Sequence, residues 1–581
     1  MPPAARTAAI LAAITFAVFS PTLSANFVYD ARLQILTDPF PHDPRNWPAV
    51  LSFAVLGMDV LDFNRPVHLA SIMLDAALWG RDPFGYHLTS ILLHCGNVVL
   101  LWLVLRDVVP RTGRGGAALE TDESAVRGLT PTSVAAFAGA ILFAVHPLVT
   151  EAVCEPTFRE DLLVAAFTLG AIVLASRCCD SLHGEQDDGS PGVPRLLPGA
   201  RMESLPSPER QRRDSGLLST SGPDSHSPAP WRAVACAACC LFACASKESG
   251  IAAPVVLGAY WWLFHRGADR RFWTVALGGG AALSLAFLAA RFLLEPETSR
   301  IFDVKPEYPG GSLAAALALE PRILALYAQL VACPVYLCAD YGGPSVAHLP
   351  LPLAIAVVAA LGAALAWLGW RDRRIAFGTA LMLLPLVPVS NLVPIYRAAA
   401  DRYLYLPLAG VAVIVACFVA RSWSRASRER RQIGLGVGLV ALGLLAAACM
   451  ARQRVWSNSM ALWTDTLTRN PASYSAASGL AAAFREAGQF TESERAARHA
   501  LVLSGSSRGD TWVSLALALE GQGRTVEADA AVATALENDP RLADPDARVA
   551  ALALERAEAD GVKALLARRP ARATAETPAK P

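Results

Sequence analysis

Apolar runs of about 15 to 22 residues alternate with polar loops along the first 455 residues, and beyond them the pattern changes. A helix needs ~20 residues to cross ~30 Å of hydrocarbon, so these runs predict membrane spans, the shortest of them marginal. The predicted spans are 8–24, 86–106, 132–150, 161–177, 232–246, 251–265, 273–292, 350–370, 375–392, 403–420 and 432–451. Another apolar stretch, 320–338, carries Pro321 and Pro334 and is predicted to be re-entrant or interfacial rather than a crossing. Residues 180–231 are rich in Gly, Ser, Pro and Arg, lack apolar periodicity, and read as a disordered loop.

From residue 456 the chain follows a longer period. Gly488 and Gly523 stand 35 residues apart, and each is followed by Ala-Leu at matching offsets, Ala500-Leu501 and Ala535-Leu536. Small or apolar residues recur in register: Ala481 with Ala516, Phe484 with Leu519, Ser493 with Ala528. That is the tetratricopeptide pattern of paired helices, with small residues where the two helices touch. Pro540 closes the second unit, and 541–570 reads as a degenerate third unit or cap. The ordinary alternative is an amphipathic helical hairpin of no particular family. The expected organisation is therefore an all-α polytopic membrane domain over 1–455 and a helical repeat domain over 456–581.

Composition strengthens the membrane reading. The chain has 581 residues, 54% of them hydrophobic, and a mean hydropathy of +0.36, too apolar for a soluble globular chain. A net charge of +1 gives no signal for nucleic acid. The twelve cysteines lie almost entirely in apolar segments with no metal or disulfide spacing, and read as small hydrophobes. Arginines cluster in alternate loops: Arg106/Arg111/Arg114, Arg266/Arg270/Arg271, Arg371/Arg373/Arg374 and Arg421/Arg425/Arg428/Arg430/Arg431. The positive-inside rule puts these in the cytoplasm. Residues 25–85 and the tail after 452 then share the outer side, and eleven crossings from an inside start end outside.

That orientation collects the unusual ionisable residues on the outer face. Asp30, in Phe27-Val28-Tyr29-Asp30, reads either as a solvated helix cap or as a general base. Arg65-Pro66 precedes an apolar helix in the same loop. His146-Pro147 and Glu151 lead to Arg159-Glu160-Asp161, where the two acids suit a helix start and Arg159 is the better ligand candidate. Lys247 and Glu248 lie between two short runs with almost no loop; their ordinary reading is an ion pair. Asp401-Arg402 enters another span. Several cations converging on one face suggest a phosphate site, with His146, Glu151, Glu248 and Asp401 in support. An ionisable group drawn to the bilayer centre costs ~2.5–3.5 kcal/mol, which keeps all of them near the surface.

The order of these motifs resembles the transmembrane and tetratricopeptide-repeat-containing O-mannosyltransferase family and its bacterial relatives, in the GT-C glycosyltransferase superfamily. The motifs are Phe-Val-Tyr-Asp, Arg65-Pro66, Leu78-Trp79-Gly80, Gly85-Tyr86-His87-Leu88 with His94, His146-Pro147 with Glu151 and Arg159, Ser246-Lys247-Glu248, and Asp401-Arg402-Tyr403-Leu404-Tyr405-Leu406-Pro407. The resemblance implies a GT-C-like bundle of about 11 spans and a polyprenyl-phosphate sugar as donor, mannose being the sugar in the family's name. The acceptor would be a hydroxyl, on protein Ser or Thr or on a glycan, and the anomeric carbon would be inverted. By the same resemblance Asp30 is the base, while Arg65, Arg159, Lys247 and Arg402 hold the lipid phosphate. No cofactor follows from it, a divalent cation is compatible but not indicated, and no residues suggest a resident metal. The repeats would bind partner proteins.

One departure qualifies the match. Ala31 stands where the family has a second acid beside the first, which fits an alternative reading as a catalytically impaired scaffold. A lipid-sugar transporter would instead place its ionisable groups near the midplane. The Ala and Arg richness points to a bacterial inner membrane with the site periplasmic; the eukaryotic equivalent is the lumenal face of the endoplasmic reticulum.

Overall fold

A computed structural model describes residues 2–111, 130–183, 230–266, 269–294, 307–342, 346 and 349–543. Among the described residues every regular element is helical. The helices of the apolar part are α1 (Pro3–Phe19), α2 (Pro66–Trp79), α3 (Pro83–Val108), α4 (Pro131–Val145), α5 (Arg159–His183), α6 (Pro230–Ser246), α7 (Ala252–Phe264), α8 (Arg270–Leu294), α9 (Leu313–Ala332), α10 (Leu351–Arg371), α11 (Arg373–Leu383), α12 (Tyr405–Arg425) and α13 (Arg428–Val455). Proline opens α1, α2, α3, α4 and α6. Its missing N–H is no loss in the first turn, and its fixed φ is already helical. Asp82, Thr130 and Ser427 cap α3, α4 and α13 by accepting a first-turn N–H.

Among the described residues seven helices are long and apolar enough to cross a membrane, and eight if a bent pair counts as one span. The protein is an all-α polytopic membrane protein. Several predicted spans differ in detail. The 132–150 segment is not one rod: α4 ends at Val145, and the chain turns by 49° before Pro147–Cys154. His146, extended and followed by Pro147, causes the break, because proline disfavours helical backbone in the residue before it. The 251–265 and 375–392 segments yield α-helices of only 13 and 11 residues, the latter continued by a 3₁₀ stretch, Leu384–Val389. Thirteen residues rise only ~20 Å, short of the hydrocarbon thickness.

The stretch expected to be re-entrant or interfacial over 320–338 belongs to α9 as far as Ala332, and that helix is itself long and apolar enough to cross. Its bonds nevertheless tie both halves to loops at one end of the bundle. Glu320 accepts from Asn391 at 2.6 Å, and Arg322 donates to the Leu349 carbonyl. Tyr327 accepts from the Ala400 N–H, and the Val331 carbonyl is 3.1 Å from the His146 ring. The predicted loop over 180–231 lies, from residue 184 to 229, outside the described residues.

The bundle has two chemically distinct ends. At one, Arg374 donates to the Val109 carbonyl at 2.8 Å, and Asp107 accepts from Arg111 and Tyr260. At the other, Thr22 donates to Gln453 and the Asn26 N–H to the Ser457 carbonyl, which joins the end of α1 to the end of α13. The C-terminal helices α14 (Ser459–Arg469), α15 (Tyr474–Glu486), α16 (Phe490–Leu503), α17 (Gly509–Gly521) and α18 (Thr525–Asn538) begin at this second end. The turns inside α15/α16 and α17/α18 need Gly488 and Gly523, whose φ values of +72° and +75° suit glycine. Small residues meet inside each pair, as Ser493 donating to the Ala481 carbonyl illustrates. Most of the third unit expected over 541–570 lies outside the described residues, which stop at 543.

Candidate functional site

Asp30 lies beyond the end of α1, after the 3₁₀ turn Ser20–Ser24, where the backbone bends hard. Tyr29 has a φ of +50°, the left-handed region that an L-residue with a bulky side chain rarely enters, at a cost of ~1–2 kcal/mol. Packing holds it there. The Tyr29 ring stacks on Trp463 at 5.2 Å, meets Phe158 edge-on at 5.5 Å, and lies 6.3 Å from Trp456. Aromatic contacts of this kind contribute ~0.5–1.5 kcal/mol each, enough together to hold the turn.

The half-buried Asp30 carboxylate, alone among the acids gathered at this end, has no hydrogen bond or ion pair within the described residues. Burial pushes its pKa above the ordinary carboxylate range. The guanidinium groups of Arg402 and Arg397 pull it partly back. The other acids are engaged. Glu151 bonds the Arg402 guanidinium at 2.5 Å and its backbone N–H at 2.9 Å. Asp340 takes Arg397 at 2.7 Å, and Asp401 accepts from Tyr341 at 2.6 Å.

A second group of charges joins three loops. Arg65 sits among three carboxylates: Glu160 at 2.5 Å, Glu248 at 3.2 Å and Asp62 at 3.3 Å. Lys247 bonds Asp161 at 2.6 Å and Glu160 at 3.0 Å, beneath the Tyr403 ring. Arg291 reaches Glu248 at 3.1 Å. Burial drives Asp62 up to about 7, with Arg65 opposing. Burial acts upward on Glu248 too, but Arg65 and Arg291 outweigh it and hold this acid at about 2. Each of the three cations of this group is thus already matched by carboxylates. A lipid phosphate would have to displace carboxylates from Arg65 and Lys247 before using them.

Arg159 belongs to neither group. It is fully buried, paired with Asp75 at 2.6 Å, and it donates to the Tyr86 carbonyl at 2.8 Å and to Ser71 and Ser90. A guanidinium so enclosed ties α2, α3 and α5 together, contrary to its expected use on a lipid phosphate. His146 serves the chain break: its ring accepts the Leu148 N–H while the far nitrogen meets Val331. Expected residues Asp30, Arg402, Glu151 and Asp401 are brought together; Arg65, Lys247 and Glu248 form the adjoining network. Between them, a small groove is lined by Asp161, Val164, Ser249, Pro385, Val389, Tyr403, Leu406 and Pro407. Among the described residues no group of three or more His, Cys, Asp or Glu could hold a metal ion.

Part of the chain is similar in sequence to curated proteins of one kind. They are protein O-mannosyl-transferases. Over 155 residues it is 34% identical to Tmtc1 of Drosophila melanogaster, covering 26% of this chain and 16% of that protein. Over 183 residues it is 31% identical to TMTC1 of Mus musculus, covering 30% of this chain and 17% of that one. F38B6.6 of Caenorhabditis elegans, bearing the same name, is 26% identical over 174 residues. The chain thus spans less than a fifth of the length of the first two relatives. No family model matches the chain, and no solved structure does.

Two residues near Asp30 lie outside the motifs that carry the resemblance to the O-mannosyl-transferases. Arg397 is partly exposed, 5.7 Å from the Tyr29 ring centre, and held by a single acid. Glu155 is fully buried and accepts the Ala31 N–H at 2.9 Å. An unexplained arginine in a Pro-rich loop ahead of Asp401-Arg402 was the available signal for the first. For Glu155 the signal was an acid between Cys154 and Pro156, in an otherwise apolar turn.

Proposed function

We propose that the chain is an integral membrane glycosyltransferase that moves a sugar, mannose by analogy with the relatives' names, from a polyprenyl-phosphate donor to a protein Ser or Thr hydroxyl. The observation that carries this reading is the unpaired Asp30 carboxylate facing Arg402 and Arg397, in a shell where the other acids are paired. Asp30 takes the acceptor hydroxyl proton as the oxygen attacks the anomeric carbon. The bond from that carbon to the phosphate oxygen breaks on the opposite side, and the configuration inverts. Negative charge grows on the departing lipid phosphate, where Arg402 and Arg397 lie within electrostatic reach. Lys247 and Arg65, in the adjoining network, become available to the phosphate once it displaces their carboxylates. On this reading the site and the C-terminal helices face the periplasm of a bacterial inner membrane.

The test is transfer of labelled sugar from polyprenyl-phosphate donors in purified membranes. Full activity in Asp30→Asn would remove Asp30 as base. A second reading, a scaffold whose C-terminal helices recruit partner proteins, is favoured by Ala31 and by the way those helices cap the site end: Arg32 meets Glu486 at 2.8 Å, and Ser473 donates to Asp340 at 2.6 Å. A wild-type chain silent with every donor would favour it.

A further inference from the structure

The carboxyl group of Glu155 is served unevenly. Oε1 accepts two hydrogen bonds, from the Ala31 N–H at 2.9 Å and from the Thr157 hydroxyl at 2.8 Å. Oε2 is buried and, among the described residues, has no partner. A carboxylate shares its charge between two equivalent oxygens and would leave half of it unsolvated here, which is costly. A neutral carboxylic acid fits the pattern better, with Oε1 as the carbonyl and the proton on Oε2. The neighbouring charge is Asp30, one residue before the amide that Glu155 holds.

We propose that Glu155 is a neutral positioning acid that supports the Asp30 turn from a different loop, and that Glu155 and Asp30 together carry a single negative charge. Glu155 fixes the backbone of the Asp30 turn through the Ala31 amide. By staying protonated it leaves the whole charge of the pair on the residue that faces the acceptor. Its catalytic consequence rests on the proposed glycosyl transfer; its protonation state does not. The groups around it agree. Burial and the nearby Asp30 both push its pKa well above the carboxylate range, opposed by hydrogen bonding from the Thr157 hydroxyl and from the Ala31 and Thr157 backbone. Cys154 on its own helical turn is buried and uncharged at neutral pH, with Arg452 acting on that thiol from α13. Arg402 and Arg397 act on Asp30 from the far side. Two ionised carboxylates that act on each other in a buried setting are disfavoured, so one keeps its proton.

Glu155→Gln keeps the size, the carbonyl acceptor and an uncharged partner, whereas Glu155→Ala removes the bond to Ala31. Two measurements on the purified full chain decide the matter. In infrared spectra at neutral pH, the wild type should show a protonated-carboxyl band that Glu155→Gln lacks; identical spectra would overturn the proposal. In the transfer assay, Glu155→Gln should stay within about twofold of wild type while Glu155→Ala loses at least about tenfold in kcat with little change in KM, as expected for one lost buried hydrogen bond. The alkaline decline of the wild type, where Glu155 ionises beside Asp30, should vanish in Glu155→Gln. A glutamine variant as inactive as the alanine variant would mean that the charge is needed, and the proposal fails. If the wild type transfers nothing, the glycosyltransferase reading falls, and the infrared arm still decides the state of Glu155.

Discussion

Arg159 and Asp30 lie in neighbouring elements of the same bundle end, and their surroundings are opposites. Arg159 is sealed with Asp75 and bonded to carbonyl and hydroxyl oxygens; Asp30 is half-buried with cations near it and none bonded to it. Both are ionisable groups flagged by the same reasoning. The difference is whether the protein itself satisfies the charge. A satisfied charge joins helices, and an unsatisfied one is available for chemistry.

The sharpest way to separate them is to neutralise each. Asp30→Asn should lower transfer by ~10²–10⁴-fold, the usual worth of a positioned base, and leave the melting temperature unchanged. A large loss of stability instead would move Asp30 to the structural side. Asp75→Ala should do the reverse, destabilising the protein by ~3–5 kcal/mol because Arg159 is left buried without its counter-ion. Thermal unfolding in detergent reads this, and a variant as stable as wild type contradicts the sealed-pair account.

Arg397→Ala is the intermediate case. Loss of its charge near the departing phosphate should cost ~1.5–3 kcal/mol, seen mainly as a lowered kcat, because the charge it meets grows in the transition state. It should also move the acid limb of the pH profile. Burial raises the Asp30 pKa and Arg397 opposes that rise, so without Arg397 the base ionises only at higher pH and the limb shifts upward. A downward shift would exclude this pairing. The smallest effect is expected at Trp463→Ala, which removes the stacking on Tyr29, worth ~0.5–1.5 kcal/mol. It should loosen the Asp30 turn without unfolding the bundle, detectable as faster hydrogen exchange at residues 28–31.

Much of the bundle was legible because its signals are local. Apolar length marks α1, α3, α12 and α13, and arginine clustering separates the two ends. The broken span at His146 was harder to see, since hydropathy runs unbroken through Val145-His146-Pro147-Leu148 while the backbone does not. Pairing is what the sequence could not convey. Arg65 and Arg159 look alike in a list of cations. Only the fold reveals that one is crowded by three acids and the other enclosed with Asp75. Arg397 and Glu155 were missed for the same reason: their interest lies in partners far along the chain, Asp340 and Ala31.

The bond between Thr22 and Gln453 joins residues 431 positions apart. It has a consequence for the order of manufacture. Asp30 leaves the ribosome before Arg402, and Trp456 and Trp463 emerge only when α12 and α13 have been made. While the intervening helices are made, the nascent chain carries the Asp30 carboxylate without the residues that shape its turn. The strained backbone at Tyr29 therefore gains its aromatic support only after α13 and α14 are in place.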